Sequence, residues 1–373
     1  MSLLPALQPV VFDVQSNSTE SPLRIVSDVS GEYDSVPAVK DTDVRFELSD
    51  YVRSLFTDTE PMTATTPQLC DFACKAIIFK FWEKYGNPPA LHNSFTADTC
   101  YALLAKIPEA RKVEFYKIYS GLHVYLIQSK SALSWWNPGE WKRVIPGFPE
   151  FIYYLQALIY DGASITPSIV LYFTDGTTAG MTSPFNYITI NYMKCYYYPV
   201  GYNELGIEAW VTAHHPGKTL SGYTVQLKRS NNTDMTPVYK FKLDTGYYPG
   251  IRQLWFRNPF GVYETILLTG LGTSTSETKP EIAETDGLDM PGKLTWKNTL
   301  TRSMKANTGW MTKMQVQWLT ELMDTTEVLE YIDGVLHPVI MKENKILPVH
   351  DSDYQFQADL EWEYAPMNYI DKF

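Results

Sequence analysis

The sequence predicts a mainly β protein, built as tandem antiparallel β-sandwich (Ig-like) domains with a few short helices. Three observations carry that expectation. Apolar and polar residues alternate with a period of two from one end of the chain to the other. Gly, Pro, Asn and Asp recur between those runs, where tight turns need them. Helical periodicity is confined to two short stretches, which argues for stacked sheets and against βαβ units.

The first strands are read at 10–14 (VVFDV), 23–29 (LRIVSDV) and 43–48 (DVRFEL). At 48–56, LSDYVRSLF sets Leu48, Tyr51, Val52, Leu55 and Phe56 at helical spacing, with Ser49 or Asp50 as its cap. Strands follow at 76–85, 113–119 and 123–128, and then a segment dense in Trp, Pro and Gly, SWWNPGEWKRVIPGFPEF, at 134–151. Further strands are read at 168–175, 187–198 (YITINYMKCYYY), 223–230 and 238–244. In IRQLWFRNPFGVYET, Asn258 and Pro259 open a type I turn that Gly261 closes with a positive φ, so 251–257 and 262–269 are expected to pair. KMQVQWLTELMD at 313–324 groups Val316, Leu319, Leu322 and Met323 on one stripe, a second helix. Asp333-Gly334 is the strongest hairpin signal in the chain. In YQFQADLEWEY (354–364) the dry face is Tyr354, Phe356, Ala358, Leu360, Trp362 and Tyr364, and the wet face carries Gln355, Gln357, Asp359, Glu361 and Glu363.

A chain of 373 residues is long enough for two or three domains. New strands begin after 156, and TGLGTSTSETKPE at 269–281 has the polar composition of a linker. The expected units are 1–156, 157–272 and 273–373, the last a β-rich domain with one short helix. A net charge of −11 without any basic run speaks against nucleic acid as a partner. No stretch is apolar for long enough to span a membrane, and the first residues do not read as a signal peptide.

Chemistry-bearing patterns are sparse. Cys70, Cys74, Cys100 and Cys195 fit neither a disulfide framework nor a zinc spacing, so no metal and no cofactor is expected. His214-His215 before Pro216-Gly217 reads as a loop. Phosphate-loop, zinc-protease and nucleophile-elbow motifs are missing. Glu361 and Glu363 share a strand face about 7 Å apart, a spacing a glycosidase tolerates, yet the polar residues around them continue a solvated face. The Trp-rich segment suits either stacking on sugar rings or a partner protein, or covering the end of a sandwich. No enzymatic centre is expected.

The order of parts resembles that of structural proteins of tailed phages and prophages of Bacteroides-type bacteria. The residues that carry the resemblance are DVRFELSDYVRSLF (43–56), LSWWNPGEWKRVIPGFPEFIYYL (133–155), YFTDGTT (172–178), LWFRNPFGVYETILLTG (254–270), NTGWMTKMQVQWLTELM (307–323) and YIDGVLHPVIM (331–341). The resemblance implies a virion component of the tail, baseplate or neck, made in the host cytoplasm, that forms a ring or sleeve with copies of itself and other virion proteins. A glycan- or receptor-binding module and a virion-borne glycan-degrading enzyme are the alternatives. Candidate interface residues are Trp135, Trp136, Trp141 and Trp255 with Tyr196, Tyr197 and Tyr198.

Overall fold

A computed structural model of the chain describes residues 2–20, 22–29, 32–56, 60–96, 99–107, 118–119, 122–123, 133–134, 136, 139–157, 163–284, 293–325, 327–342 and 356–364. The protein is mainly β, with several antiparallel sheets and few short helices. Trp135, Tyr354 and Gln355 lie outside the described residues. So do the runs expected at 113–119 and 123–128, apart from a two-stranded pair of β11 (Ile118–Tyr119) with β12 (Leu122–His123).

Small sheets make up the first part of the chain. The strands β1 (Ser2–Pro5), β10 (Cys100–Leu103) and β7 (Cys74–Ile77) form one, β2 (Val11–Val14) and β5 (Val44–Glu47) a second. A third has the order β4 (Glu32–Pro37), β3 (Arg24–Val29), β8 (Lys80–Tyr85), β9 (Ala90–Thr96). The strand expected at 76–85 is therefore two strands. Phe79 sits between them, fully buried, and Phe79 and Phe81 both enter the core beside Phe12 and Phe46. Burial alternates strictly from 76 to 83, with Ile77, Phe79, Phe81 and Glu83 buried and Ala76, Ile78 and Lys80 exposed; what divides the run is its pairing, β7 with β10 and β8 with β3 and β9.

A six-stranded sheet follows: β13 (Trp141–Val144), β20 (Tyr239–Leu243), β19 (Leu220–Arg229), β15 (Ala163–Phe173) and β16 (Thr178–Met181) in that order, with β17 (Ile188–Ile190) also on β15. The run at 187–198 is again two strands, broken at Met193, whose φ is +53°. Its second half, β18 (Cys195–Pro199), lies between β14 (Phe151–Leu155) and β6 (Gln68–Cys70). This three-stranded sheet is the centre of the molecule. Phe151, Tyr153, Leu155, Cys195 and Tyr197 face one hydrophobic core, while Ile152, Tyr154, Tyr196 and Tyr198 face another. A strand covered on both faces needs no polar residue, which is why FIYYL and CYYYP are continuous apolar runs. Each fully buried large side chain contributes about 1.5–3 kcal/mol.

The last sheet has seven strands in the order β22 (Tyr263–Leu268), β21 (Arg252–Arg257), β25 (Val328–Ile332), β26 (Val335–Met341), β27 (Asp359–Tyr364), β24 (Lys293–Asn307), β23 (Gly272–Glu284). Its hairpins follow their turn chemistry. The β21–β22 turn has Gly261 at φ +77°, and the Asn258 side chain accepts from the Phe260 amide at 2.9 Å. The β25–β26 turn has Asp333 and Gly334 at φ +48° and +87°, a type I′ geometry. On β27, Leu360 and Trp362 are buried and Asp359 is exposed, as the alternation demands.

Pairing runs across both positions where the composition changes. The β6 strand from the first third joins β18 at Cys70↔Cys195, and β21 joins β25 across the Ser/Thr-rich stretch. That stretch is not a linker: residues 272–284 are β23, paired with β24 over its whole length. Thr is a good strand residue, and a partner strand supplies the hydrogen bonds that local composition does not reveal.

Three helices are described. The first, α1 (Ser49–Ser54), begins at Leu48 without a side-chain cap. Ser49 is otherwise engaged: its hydroxyl accepts from the Val10 amide at 2.8 Å and donates to Glu47. The second, α2 (Ile207–His214), places His214 on its last turn and His215 at its C-cap, where the sequence suggests a loop. The third, α3 (Lys313–Asp324), is the expected amphipathic helix, closed at its N-terminus by a capping box between Thr312 and Gln315.

Candidate functional site

Two features stand out among the described residues: an aromatic groove and a protruding ribbon. Among the described residues no group of three or more His, Cys, Asp or Glu side chains is placed to hold a metal ion. No helix of the described residues is long and apolar enough to cross a membrane.

The groove encloses about 480 Å³, inside the range of small-molecule sites. It forms where the edge strand β13 meets the segment 308–312, the start of α3 and one end of β22. Its floor is built from Trp136 and Trp318, which meet edge to face at 5.0 Å and 89°. The Trp318 indole donates to the buried Glu264 carboxylate at 2.5 Å, and the other oxygen of Glu264 accepts from Asn258. The Asn258 turn therefore locks the floor. The Trp136 indole N–H is buried and has no hydrogen-bond partner among the described residues. Beside the floor, Lys142 is 2.7 Å from the buried Glu150 and 3.0 Å from the Thr265 hydroxyl, which itself donates to Glu150. This closed triad neutralises a carboxylate that is almost wholly removed from water.

Two indoles stand at the rim. Trp141 is 38% exposed on the edge strand. One side of its ring is seated: Tyr172 meets it edge-on at 5.6 Å, and a Cβ on Gly222 would lie 3.0 Å from the ring. Glycine at 222 is what lets the indole lie down on the sheet. Trp310 is 57% exposed, next to Gly309 at φ +73°. The Arg143 guanidinium donates to the Thr269 hydroxyl at 2.5 Å and to the Trp310 carbonyl at 3.4 Å, and it pairs with Asp244 at 3.5 Å. Asp244 also accepts from the Tyr248 hydroxyl at 2.7 Å, and this bond raises the Tyr248 pKa. Gln315 spans to the Trp141 carbonyl at 3.3 Å. Lys242 and Glu140 also line the groove, and neither has a side-chain partner among the described residues.

The ribbon is the outer part of β23 and β24. The last described partner of β24 on β27 is Ser303 with Glu363, so among the described residues Ser276–Glu284 and Lys293–Arg302 extend past the sheet as a pair of strands. Nine residues of antiparallel strand reach about 30 Å. Every residue from 271 to 282 is exposed, as are Thr295, Asn298, Thr299 and Leu300. Exposed apolar side chains include Ile282 at 60% and Leu300 at 50%.

Of the residues singled out in the sequence, Trp141 is on the surface. Trp136 is buried at the groove floor. Trp255, Tyr196, Tyr197 and Tyr198 are core residues, each no more than 3% exposed, and cannot touch another copy of the chain. Their strands are covered on both faces, so aromatic richness there marks the interior. Glu361 and Glu363 do share a face, but the Lys342 ammonium lies 2.9 Å from one and 3.0 Å from the other, as in a solvated ion-pair ladder. The histidine pair packs around Trp210: His214 stacks on it at 4.5 Å and His215 lies at 5.4 Å. Sequence reasoning missed Trp310, Trp318, Lys242 and Gln315 as groove residues. They lie roughly a hundred residues or more from Trp141, and no local pattern links them to it.

No protein-family profile matches the chain, and no curated protein matches it. Among solved structures, a Bacteroides ovatus mixed-linkage glucan utilization locus protein, SGBP-B, in complex with a mixed-linkage heptasaccharide, aligns at 9% identity over 94% of this chain and 70% of that one. The TM-score is 0.17, too low to carry an argument about fold or function.

Proposed function

We propose that the chain is a structural component of a phage virion, in the tail, baseplate or neck, whose copies associate into a ring or sleeve through β-sandwich (Ig-like) domains. The sandwich reading is supported by the shared core of two sheets. Leu171, Tyr223 and Phe241 of the six-stranded sheet lie in one cluster with Tyr154, Tyr196 and Tyr198 of the central sheet. The work done is association, with neighbouring copies and other virion proteins as partners, and it involves no reaction.

The observation that carries this reading is the ribbon. Among the described residues nothing covers either face of the ribbon; a two-stranded ribbon is marginal in water by itself, and one about 30 Å long is suited to docking on a partner. Its edges are blunted against open-ended pairing by Lys279, Pro280 and a bulge at Glu281/Ile282. Its faces are therefore what docks. At about 10 Å wide each face offers about 300 Å², and the two together approach the roughly 800 Å² that one partner gives to a stable interface. A head-to-tail contact between the ribbon of one copy and the body of the next closes into a ring when its rotation allows.

The test is the mass of the full chain against a variant in which 276–302 is replaced by an Asn-Gly turn, by light scattering and negative-stain imaging. The full chain forms closed oligomers and the shortened one is a folded monomer. A full chain that stays monomeric at every concentration reached, or a shortened chain that still forms rings, overturns the reading.

A further inference from the structure

The groove between β13 and α3 has no part in the ribbon contact, and its chemistry points to a different partner. We infer that it is a saccharide-binding site, in which Trp141 and Trp310 stack on the faces of sugar rings and Lys242 and Glu140 hydrogen-bond with their hydroxyl groups.

The argument starts from the rim. A pyranose has an apolar face of C–H bonds and an edge of hydroxyls. It needs a flat aromatic surface that is held still, with hydrogen-bonding groups around it. Trp141 provides such a surface. Seated on Gly222 and braced by Tyr172, its ring has lost little-used freedom before any ligand arrives, and its remaining side is open. Trp310 is the second platform, its backbone held by Arg143 through the carbonyl. Two exposed indoles on one groove suit a chain of sugars better than a single small molecule, because each ring takes a separate unit.

The polar complement is divided in a useful way. Arg143 and Asp244 are tied to each other, and Gln315 is tied to backbone, so these groups shape the groove. Lys142 is neutralised by Glu150. Lys242 and Glu140 remain, a cationic donor and an anionic acceptor, each without a side-chain partner among the described residues. Opposite charges in one groove disfavour a strongly anionic or cationic polymer and leave a neutral glycan.

The experiment uses the full chain in native affinity electrophoresis through gels holding neutral polysaccharides: mixed-linkage β-glucan, xyloglucan, α-mannan and starch, with polygalacturonate as the charged comparison. The polysaccharide that retards the chain is then titrated while tryptophan emission is followed. At least one neutral polymer retards the protein and polygalacturonate does not. Trp141→Ala and Trp310→Ala each weaken that binding about tenfold or more, the loss expected of a central aromatic contact. Tyr247→Ala, which removes a 92%-exposed ring outside the groove, leaves it unchanged. Trp310→Phe keeps a ring in place and retains most of the affinity, which separates stacking from a folding defect. The inference is overturned if no neutral polymer retards the chain, or if retardation survives both alanine variants. Because the ribbon is intact throughout, failure here leaves the assembly reading standing, and loss of oligomers in the shortened variant leaves this one standing.

Discussion

Replacing Gly261 by Ala probes how the β21–β22 hairpin is joined to the first part of the chain. The residue has φ +77°, and a side chain in the left-handed region costs about 1–2 kcal/mol. The site is also crowded. A Cβ built on Gly261 would lie 1.6 Å from the Leu104 carbonyl oxygen and 2.6 Å from its carbon, and Leu104 is only 4% exposed. Backbone must move, which costs a further 1–3 kcal/mol or so. The movement also threatens the bond in which the Lys106 amide donates to the Pro259 carbonyl at 2.8 Å, about 1 kcal/mol more. Gly261→Ala is thus expected to destabilise by roughly 3–6 kcal/mol. Gly334 supplies the comparison. It has φ +87° with nothing within 4 Å of its would-be Cβ, so Gly334→Ala bears only the conformational cost, about 1–2 kcal/mol. Urea unfolding followed by tryptophan emission measures both. If the two variants lower the midpoint equally, the tight approach between the hairpin and Leu104 is not what the glycine serves.

Arg252 neutralises Glu330, a carboxylate with no exposure, at 2.6 Å, and Trp362 donates to its other oxygen at 2.9 Å. Arg252→Ala is expected to cost about 3–5 kcal/mol, and adding Glu330→Met to recover most of it; a double variant no more stable than the single one speaks against a charge effect. All four cysteines are buried, and burial pushes the Cys74 thiol up to about 12. The native chain should therefore resist a thiol-directed chromogenic reagent at pH 8 and react at all four positions once unfolded, whereas rapid native labelling would contradict the burial. Burial, helped by the nearby Glu150 charge, raises the Glu204 pKa, and one of its oxygens has no hydrogen-bond partner among the described residues. The folded chain then holds that proton more tightly than the unfolded chain. Stability falls as pH climbs from the ordinary carboxylate value through the folded one. Glu204→Gln should unfold at higher urea than the parent at pH 7 and equally at pH 4; a variant weaker at pH 7 refutes this.

Much of the secondary structure was legible because it is set locally. The 3.6-residue stripe and the Thr312 cap define α3, and the left-handed pair Asp333-Gly334 defines a two-residue hairpin. Alternation over 356–364 fixes which side of β27 is dry. Reading failed where the deciding partner is remote. Residues 272–284 have a linker's composition, and only the facing strand 293–307 makes them a strand. Tyr196, Tyr197 and Tyr198 look like a sticky surface in the sequence, yet a second core on the far side of β18 buries all three. Position 261 shows both levels at once: the turn needs a glycine for its φ, and the proximity of Leu104 needs one again for space.

By itself the sequence determined that this is a β protein, where its turns fall and which face of an alternating strand meets water, because steric and hydration preferences act over a few residues. The tertiary structure alone decided that aromatic strands lie between two cores, that a polar stretch becomes a free-standing ribbon, and that Trp141 and Trp310 share one groove. Those outcomes depend on contacts between residues a hundred or more positions apart, and the free energy of such contacts is absent from any local window of the chain.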